Sequence, residues 1–353
     1  MAHANEKVRL AVIGAGAIGM KHARLVRESD ICTLAGMCDV DPGRRALVAG
    51  LGAPFYDSAE ELVTRQRPDG AIVATPNAIH AESASVCARH GVHALIEKPI
   101  ADSLAAAEGI VRTAEAHGVR VLVGHHRRHS PLVQQARAIV RDGAIGKLAG
   151  VSVLWALLKP DDYFHVGWRG ERPGGGPVLI NLIHDLDSLR FICGEIREVY
   201  ARTASGARGL EVEDSVSVSL AFENGALGTI LASDATPAPW SYEMTAGENP
   251  LYFHAKEDCY HFFGTEGSLA FPSMQLWRYA DGARRGWQHP LERSSRAVAS
   301  ADPLRAQLDH FCRVVRGQTP PLVDGPDATR SLAAALAVLE SARRGSPVDI
   351  SRH

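Results

Sequence analysis

Three short stretches hold most of the chemistry that this chain's residue types allow: GAGAIG at 14–19, IEKP at 96–99 and GGGPVLINLIHDLD at 174–187. In the first, Gly14 permits a tight turn, Gly16 lets backbone approach a pyrophosphate, and Gly19 lets a helix pack close to a strand. The N–H groups at the helix start, around Ala17, Ile18 and Gly19, then face phosphate oxygens. Asp39 ends the next apolar run twenty positions after Gly19, where a carboxylate accepts hydrogen bonds from ribose hydroxyls. A helix cap ahead of Asp41 and Pro42 is the other use for such a residue. A carboxylate there repels a 2′-phosphate, so NAD is expected over NADP, while Arg44 and Arg45 just beyond leave NADP open.

Two later loops fall at the carboxyl ends of strand-like runs, where open α/β sheets bind ligands. One supplies Thr75, Pro76, Asn77 and His80 from ATPNAIH, the other Glu97, Lys98 and Pro99. The prolines are expected to bend the chain across a cofactor. A lysine in isolation is a surface residue; at this strand end Lys98 is expected beside a nicotinamide. In the third stretch, Leu179, Leu182, Ile183, Leu186 and Leu189 read as the buried face of a helix, which leaves Asn181, His184 and Asp187 to be explained. Asn181 reads equally as a substrate contact or a structural residue, and a histidine in an apolar helix is most often a core residue with one hydrogen bond. Upstream, DDYFHVGWRGERP offers Tyr163, His165, Trp168 and Arg169 as a loop over a pocket, suited to hydroxyls or a carboxylate.

The elements that must position these residues follow from the hydrophobic pattern. VRLAVIG, CTLAGMCDV, APFY, DGAIVAT, HALIEKP and VRVLVGH are short apolar strands, separated by helices that include one over residues 18–28 and one after Pro42. Near-continuous apolar strands between helices predict a doubly wound parallel sheet over residues 1–125. Residues 126–353 change character: GKLAGVSVLWALL, IREVYARTA, DSVSVSLAF, GALGTILASDA and YHFFGTEGSLAFP alternate or are rich in β-branched and aromatic residues, with a hairpin turn in ENGALGTI. Two helices, PLRAQLDHFCRVVRG and DATRSLAAALAVLESARRG, are expected near the end, and residues 282–302 read as a mobile polar excursion.

Composition narrows the classes. The 353 residues are 46% hydrophobic and 22% charged with net charge -2, which argues against a polyanion-binding surface. No apolar run is long enough for a membrane span and MAHANEKVRL has no signal-peptide core, so a cytoplasmic location is expected. The six cysteines are scattered without CxxC pairs and read as reduced thiols rather than zinc ligands.

With GAGAIG, the strand-ending Asp39, ATPNAIH, EKP, GHHRRHSP and GGGPVLINLIHDLD in this order, the chain resembles the Gfo/Idh/MocA oxidoreductases over nearly its whole length. The resemblance implies a Rossmann domain followed by an α+β domain with a large, mainly antiparallel sheet, through which members form dimers or tetramers. It implies hydride transfer between a nicotinamide and a carbinol or keto carbon of a sugar, cyclitol or sugar acid. Lys98 and His184 would be the acid–base groups, His126 would reach substrate, Arg128 would be structural, and Asp187 would brace its helix. No metal is needed, since the nicotinamide takes the hydride and Lys98 polarises the oxygen. The family pattern D-x-G-x-H sets an acid four residues before the histidine; here Ile180 and Leu182 stand at those places, with Asn181 on a different helix face. Two further readings stay open: a dehydrogenase of a cyclic diol or carboxylated dihydrodiol, and a nicotinamide-binding regulator that lost catalysis with the acid.

Overall fold

The computed structural model describes residues 6–172, 174–282 and 284–351; residues 1–5, at the start of the segment read for a leader, lie outside it. Two compact units divide the chain, Met1–His126 with Leu304–Leu332, and Arg127–Pro303 with Ala333–His353.

The first unit contains β1 (Val8–Ile13), α1 (Ala17–Arg27), β2 (Cys32–Cys38), α2 (Arg45–Ala49), β3 (Phe55–Tyr56), α3 (Ala59–Gln66), β4 (Gly70–Val73), α4 (His80–Arg89), β5 (His93–Ile96), α5 (Leu104–Ala116) and β6 (Val121–Val123). All six strands are parallel, in the order β3-β2-β1-β4-β5-β6. The order reverses between β1 and β4, which opens a crevice at the carboxyl edge. Every residue of β4 is buried, because helices cover both faces. Side-chain caps start the helices where the sequence supplies them: Ser58 Oγ accepts from Glu61 N at 3.1 Å ahead of α3, and Ser103 Oγ accepts from Ala106 N at 3.3 Å ahead of α5. The helix expected after Pro42 opens as a 3-10 turn, Pro42–Arg44, capped by Asp41.

The second unit follows with α6 (Pro131–Arg141), β7 (Leu148–Ala156), α7 (Ile183–Cys193), β8 (Ile196–Ala204), β9 (Ser215–Phe222), β10 (Leu227–Ser233), α8 (Tyr242–Thr245), β11 (Tyr260–Gly264), β12 (Ser268–Phe271), β13 (Gln275–Arg278) and β14 (Glu292–Ser295). The chain ends with α9 (Pro303–Val315), α10 (Gly325–Arg344) and β15 (Val348–Asp349). Nine strands form one sheet in the order β14-β13-β12-β11-β7-β10-β9-β8-β15, antiparallel except between β7 and β10. Period-two alternation sets its faces: Val216, Val218 and Leu220 are buried while Ser217 and Ser219 between them are exposed. The β9–β10 hairpin turns at Gly225, whose φ of 86° a side chain would oppose.

Two sequence expectations are corrected here. The stretch 282–302 is not wholly a polar excursion, since Glu292–Ser295 pairs with β13; all four residues are exposed on this edge strand, so they carry no apolar signal. Residue 283 of that stretch lies outside the description. Residues 304–332, which reading in chain order assigns to the second domain, lie with the first unit. Val323 O accepts from Val123 N at 2.9 Å along the edge of β6, and Val314 O accepts from Arg120 Nη1 at 2.7 Å. Phe311 is fully buried over Gly70, where a Cβ would meet its ring at 3.0 Å.

If this returning segment is part of the first unit's core, Phe311→Ala should destabilise that unit by about 3–5 kcal/mol, read from urea unfolding. A loss below about 1 kcal/mol would mean the segment merely rests on the sheet.

Candidate active site

At the carboxyl edge of β1 the backbone is crowded at two glycines and open at the one between them. Gly14 has φ of 100°, and a Cβ there would meet Ala74 O at 2.6 Å; a Cβ on Gly19 would sit 1.9 Å from Gly14 O. Around Gly16, in contrast, a Cβ would meet nothing within 4 Å. Helix α1 begins there with no side-chain cap and no acid in its first turn, and Ala17 and Ile18 are exposed. Such a helix start has N–H groups left for an anion. Asp39 accepts from Ala15 N through Oδ2 at 2.6 Å and from Asp41 N through Oδ1 at 2.9 Å, so it ties the glycine turn to the end of β2. The capping role belongs to Asp41, whose Oδ1 accepts from Gly43 N at 2.8 Å. Arg44 pairs with Asp41 and Arg45 with Asp57, at 3.3 and 2.9 Å. Thr75 Oγ1 is buried with no hydrogen-bond partner among the described residues. The open ground at Gly16, the uncapped helix, the half-buried Asp39 and the orphaned Thr75 hydroxyl together fit a dinucleotide.

Two of the expected cofactor contacts do other work. His80 is fully buried, with Nε2 2.9 Å from Thr75 O and Nδ1 2.9 Å from Pro99 O, so it joins the two loops and has no ring nitrogen left for a ligand. Glu97 turns back toward α1, where His22 Nε2 meets its Oε1 at 2.7 Å, and its Oε2 accepts from Lys98 N at 3.2 Å. Burial pushes the Glu97 carboxyl up, but the His22 hydrogen bond and the charges of His22, Lys98 and His126 outweigh it and hold it at about 2. Lys98 itself is half-buried at the end of β5, ahead of a cis bond to Pro99. Pro76 and Asn77 lead a 3-10 turn, Asn77–Ile79, with Pro76 exposed and Asn77 half-buried.

In the second unit the GGG turn is a matter of space. A Cβ on Gly175 would meet the carbonyls of Trp168, Arg169 and Glu171, each at 2.6 Å, and one on Gly176 would meet Glu213 Oε1 at 2.4 Å. Glu213 Oε1 accepts from Val178 N at 3.1 Å and thereby caps the helix from a distant loop. The turn Val178–Leu182 is π-helical, with Ile183 N donating to Val178 O, before α-helical geometry begins at Ile183. His184 is 7% exposed. On either side of it the helix is fixed by arginines: Arg128 donates through Nε and Nη2 to Asp187 at 2.9 and 2.6 Å, and Arg127 donates to Asp185 Oδ1 at 3.0 Å and to Glu243 Oε1 at 2.6 Å. Asp187 thus braces α7. His126, at the end of the first unit, is half-buried.

Asn181 Oδ1 accepts from Lys159 Nζ at 2.8 Å, and that ammonium is also 3.1 Å from Asp234 Oδ2. Lys159 was not anticipated, although it repeats the lysine-proline ending of an apolar run seen at Lys98. Burial pushes its ammonium down while Asp234 and Glu243 pull it up. Arg169 does not point outward for a ligand: its guanidinium lies 4.1 Å over the Tyr163 ring and donates to Tyr163 O at 2.9 Å. Trp168 is 51% exposed and Tyr163 half-buried. Among the described residues no three His, Cys, Asp or Glu side chains group as metal ligands do.

Comparison with known proteins places this architecture. A family model described as GFO_IDH_MocA, an oxidoreductase family with an NAD-binding Rossmann fold, matches residues 8–125, and the GFO/IDH/MocA C-terminal domain model matches residues 133–270. The 1,5-anhydro-D-fructose reductase of Ensifer adhaerens is 31% identical over 306 residues, 83% of each chain. The rhizopine catabolism protein MocA of Rhizobium meliloti is 25% identical over 342 residues, 95% of each chain. An oxidoreductase from Agrobacterium radiobacter, solved in complex with NAD+, L-tartaric acid and magnesium, shares the fold with a TM-score of 0.82 at 24% identity, over 98% of this chain and 99% of that one.

Asp39→Ala should weaken NADH binding by about 10-fold or more and narrow the margin over NADPH, in fluorescence titrations of the unreacted protein. Equal affinities before and after the substitution would put the ribose contact elsewhere.

Proposed function

Because this chain belongs to the Gfo/Idh/MocA oxidoreductase family, we propose that it oxidises a secondary alcohol, or reduces the matching ketone, on a small polyhydroxylated or carboxylated molecule of the sugar, cyclitol or sugar-acid kind. The supporting observation is the carboxyl edge of the first sheet. There the glycine turn after β1 and Lys98 after β5 stand on either side of β4, within one rigidly built crevice edge. The protein is an NAD-binding oxidoreductase, and bound nicotinamide supplies the two-electron chemistry. The chain's own residues handle the proton. Lys98 donates a hydrogen bond to the substrate oxygen and steadies its negative charge, and His184 takes the hydroxyl proton in oxidation or returns it in reduction. Asn181, His126, Tyr163 and Trp168 are the proposed substrate contacts, and Thr75, Pro76 and Asn77 line the cofactor's path. Arg169 serves by holding Tyr163.

No helix among the described residues is long and apolar enough to cross a membrane. All six cysteines are free and buried, which supports a reducing, cytoplasmic setting.

Self-association through the nine-stranded sheet is part of the same reading. Across its open face one register row runs Ala221, Leu227, Gly150, Phe263, Ser268 and Trp277, and Leu231 lies opposite Leu154 in a row nearby. Leu227, Leu231 and Phe263 are 64%, 55% and 46% exposed, large apolar side chains on either side of a polar row of Ser219, Thr229, Ser152 and His261, and this mixed face is the proposed subunit contact.

Lys98→Met should leave NADH affinity within about 2-fold while turnover on a panel of polyols, sugars and sugar acids falls by about 100-fold or more. Undiminished turnover would remove Lys98 from the chemistry, and bound cofactor with no turnover by the wild type would favour the regulator. Leu231→Glu should lower the mass measured by light scattering to that of a smaller assembly; an unchanged mass rules out this face as the contact.

A further inference from the structure

Asn181 and Lys159 form a polar feature that faces one way. The amide oxygen of Asn181 is committed to Lys159 Nζ, so its two N–H donors are what it presents, and no described residue accepts from them. Asn181 is half-buried, in the turn just before His184 and three residues from it, so the two side chains lie on neighbouring parts of one helix surface. Ile180 beside it is apolar and half-buried.

Behind Asn181, Lys159 is only 7% exposed and has two oxygen partners among the described residues, Asn181 and Asp234, with the Tyr163 ring centroid at 4.7 Å. Asp234 is shared: Arg208 Nε donates to its Oδ1 at 3.1 Å. Asp234 is thus shared by two cations, Lys159 and Arg208, and neither has that carboxylate to itself. Glu243 shares Arg127 with Asp185 and accepts from Trp155 Nε1 at 3.0 Å, Asp214 accepts from the backbone N–H groups of Ala207 and Arg208, and Glu213 is turned to the backbone of Val178. The ammonium directly behind Asn181, 2.8 Å from its amide oxygen, is therefore the charge nearest the amide's free donors. A donor-only amide backed by an ammonium complements an anionic acceptor, while a neutral hydroxyl gains little from that charge.

We propose that Lys159 and Asn181 are specificity-determining residues that anchor a carboxylate of the substrate, so that the molecule oxidised or reduced is a hydroxy or keto acid rather than an uncharged sugar or cyclitol. This rests on the oxidoreductase reading above and narrows its substrate class. Asn181 donates to the carboxylate, Lys159 supplies the charge, and Asp234 with Arg208 holds Lys159 in place.

The test uses matched probes: D-glucuronate with D-glucose, D-galacturonate with D-galactose, and D-gluconate with D-glucitol. Steady-state kinetics with NAD and calorimetric binding to the NADH-loaded protein are measured for the wild type, Asn181→Asp and Asn181→Ala. The wild type should favour the acid of at least one pair by about 10-fold or more in kcat/KM or in affinity. Asn181→Asp, which sets a carboxylate against the ligand and neutralises Lys159, should abolish that preference while NADH affinity and melting temperature stay close to wild type. Asn181→Ala should fall between them. Preference for the uncharged partners, or a preference for acids that Asn181→Asp leaves intact, overturns the anchor without touching the oxidoreductase reading. Acids that bind in an Asn181-dependent way but are never turned over uphold the anchor and count against that reading instead. A purely structural Asn181 would change melting temperature and leave the acid-to-neutral ratio alone, which also overturns the proposal.

Discussion

Two neighbouring arginines set against two carboxylates of one helix decide how the second unit is built. Arg127 and Arg128 follow one another directly, while Asp185 and Asp187 lie on different sides of α7, so the pairs can form together in only one rotation of that helix. Burying such ions costs several kcal/mol each unless the geometry is met, which makes misrotation expensive even where the net gain is small. Arg127 also lies 4.0 Å over the Tyr242 ring and Arg128 5.0 Å over Phe191, so their flat faces are packed as well. The guanidinium of Arg127 serves two acids. Burial raises the Asp185 carboxyl, Arg127 pulls it down and Glu243 pushes it up again, leaving it at about 6. The position of His184 is thus set by residues that are not themselves candidates for the chemistry.

The first unit divides its labour differently. Backbone supplies most of the proposed cofactor edge, through the glycine turn and an uncapped helix, and His80 and Glu97 beside it face inward. Glu97 is the clearest case: beside Lys98 in sequence, it is tied to His22 of α1 and so fixes the loop that carries the lysine. The crowding at Gly14 and Gly19 is with the protein's own chain, at Ala74 and at Gly14, so these two glycines serve the turn and the helix packing, and Gly16 alone has open ground before it.

How much of this was legible in sequence follows from distance along the chain. The glycine spacing, the strand-ending Asp39, the EKP loop and the HxxD helix are local patterns, and the parallel and antiparallel sheets follow from the apolar runs and their alternation. The direction in which Glu97 points depends on a partner 75 residues away, and that of Arg127 on Glu243, 116 residues away. Periodicity does not encode such pairings. Lys159 was hidden for the same reason, since Asp234 and Arg208 come from later in the chain, after β10 and between β8 and β9. The edge strand at Glu292–Ser295 was hidden because an exposed strand needs no apolar side chains, and the return of residues 304–332 because a helix pattern does not say against which sheet it packs.

The histidine between the two cofactor-edge loops has an arithmetic of its own. Both ring nitrogens of His80 face carbonyl oxygens, of Thr75 and of Pro99, and burial favours the uncharged ring over the pull of those carbonyls and of Glu97. An uncharged imidazole owns one hydrogen, so at any instant one loop is bonded and the other meets a lone pair with a lone pair. The two loops therefore compete for a single hydrogen, and its tautomer records which of them is held more tightly. Whatever draws the Thr75 loop toward a ligand shifts that hydrogen's preference and is felt at the Pro99 carbonyl, one residue beyond Lys98.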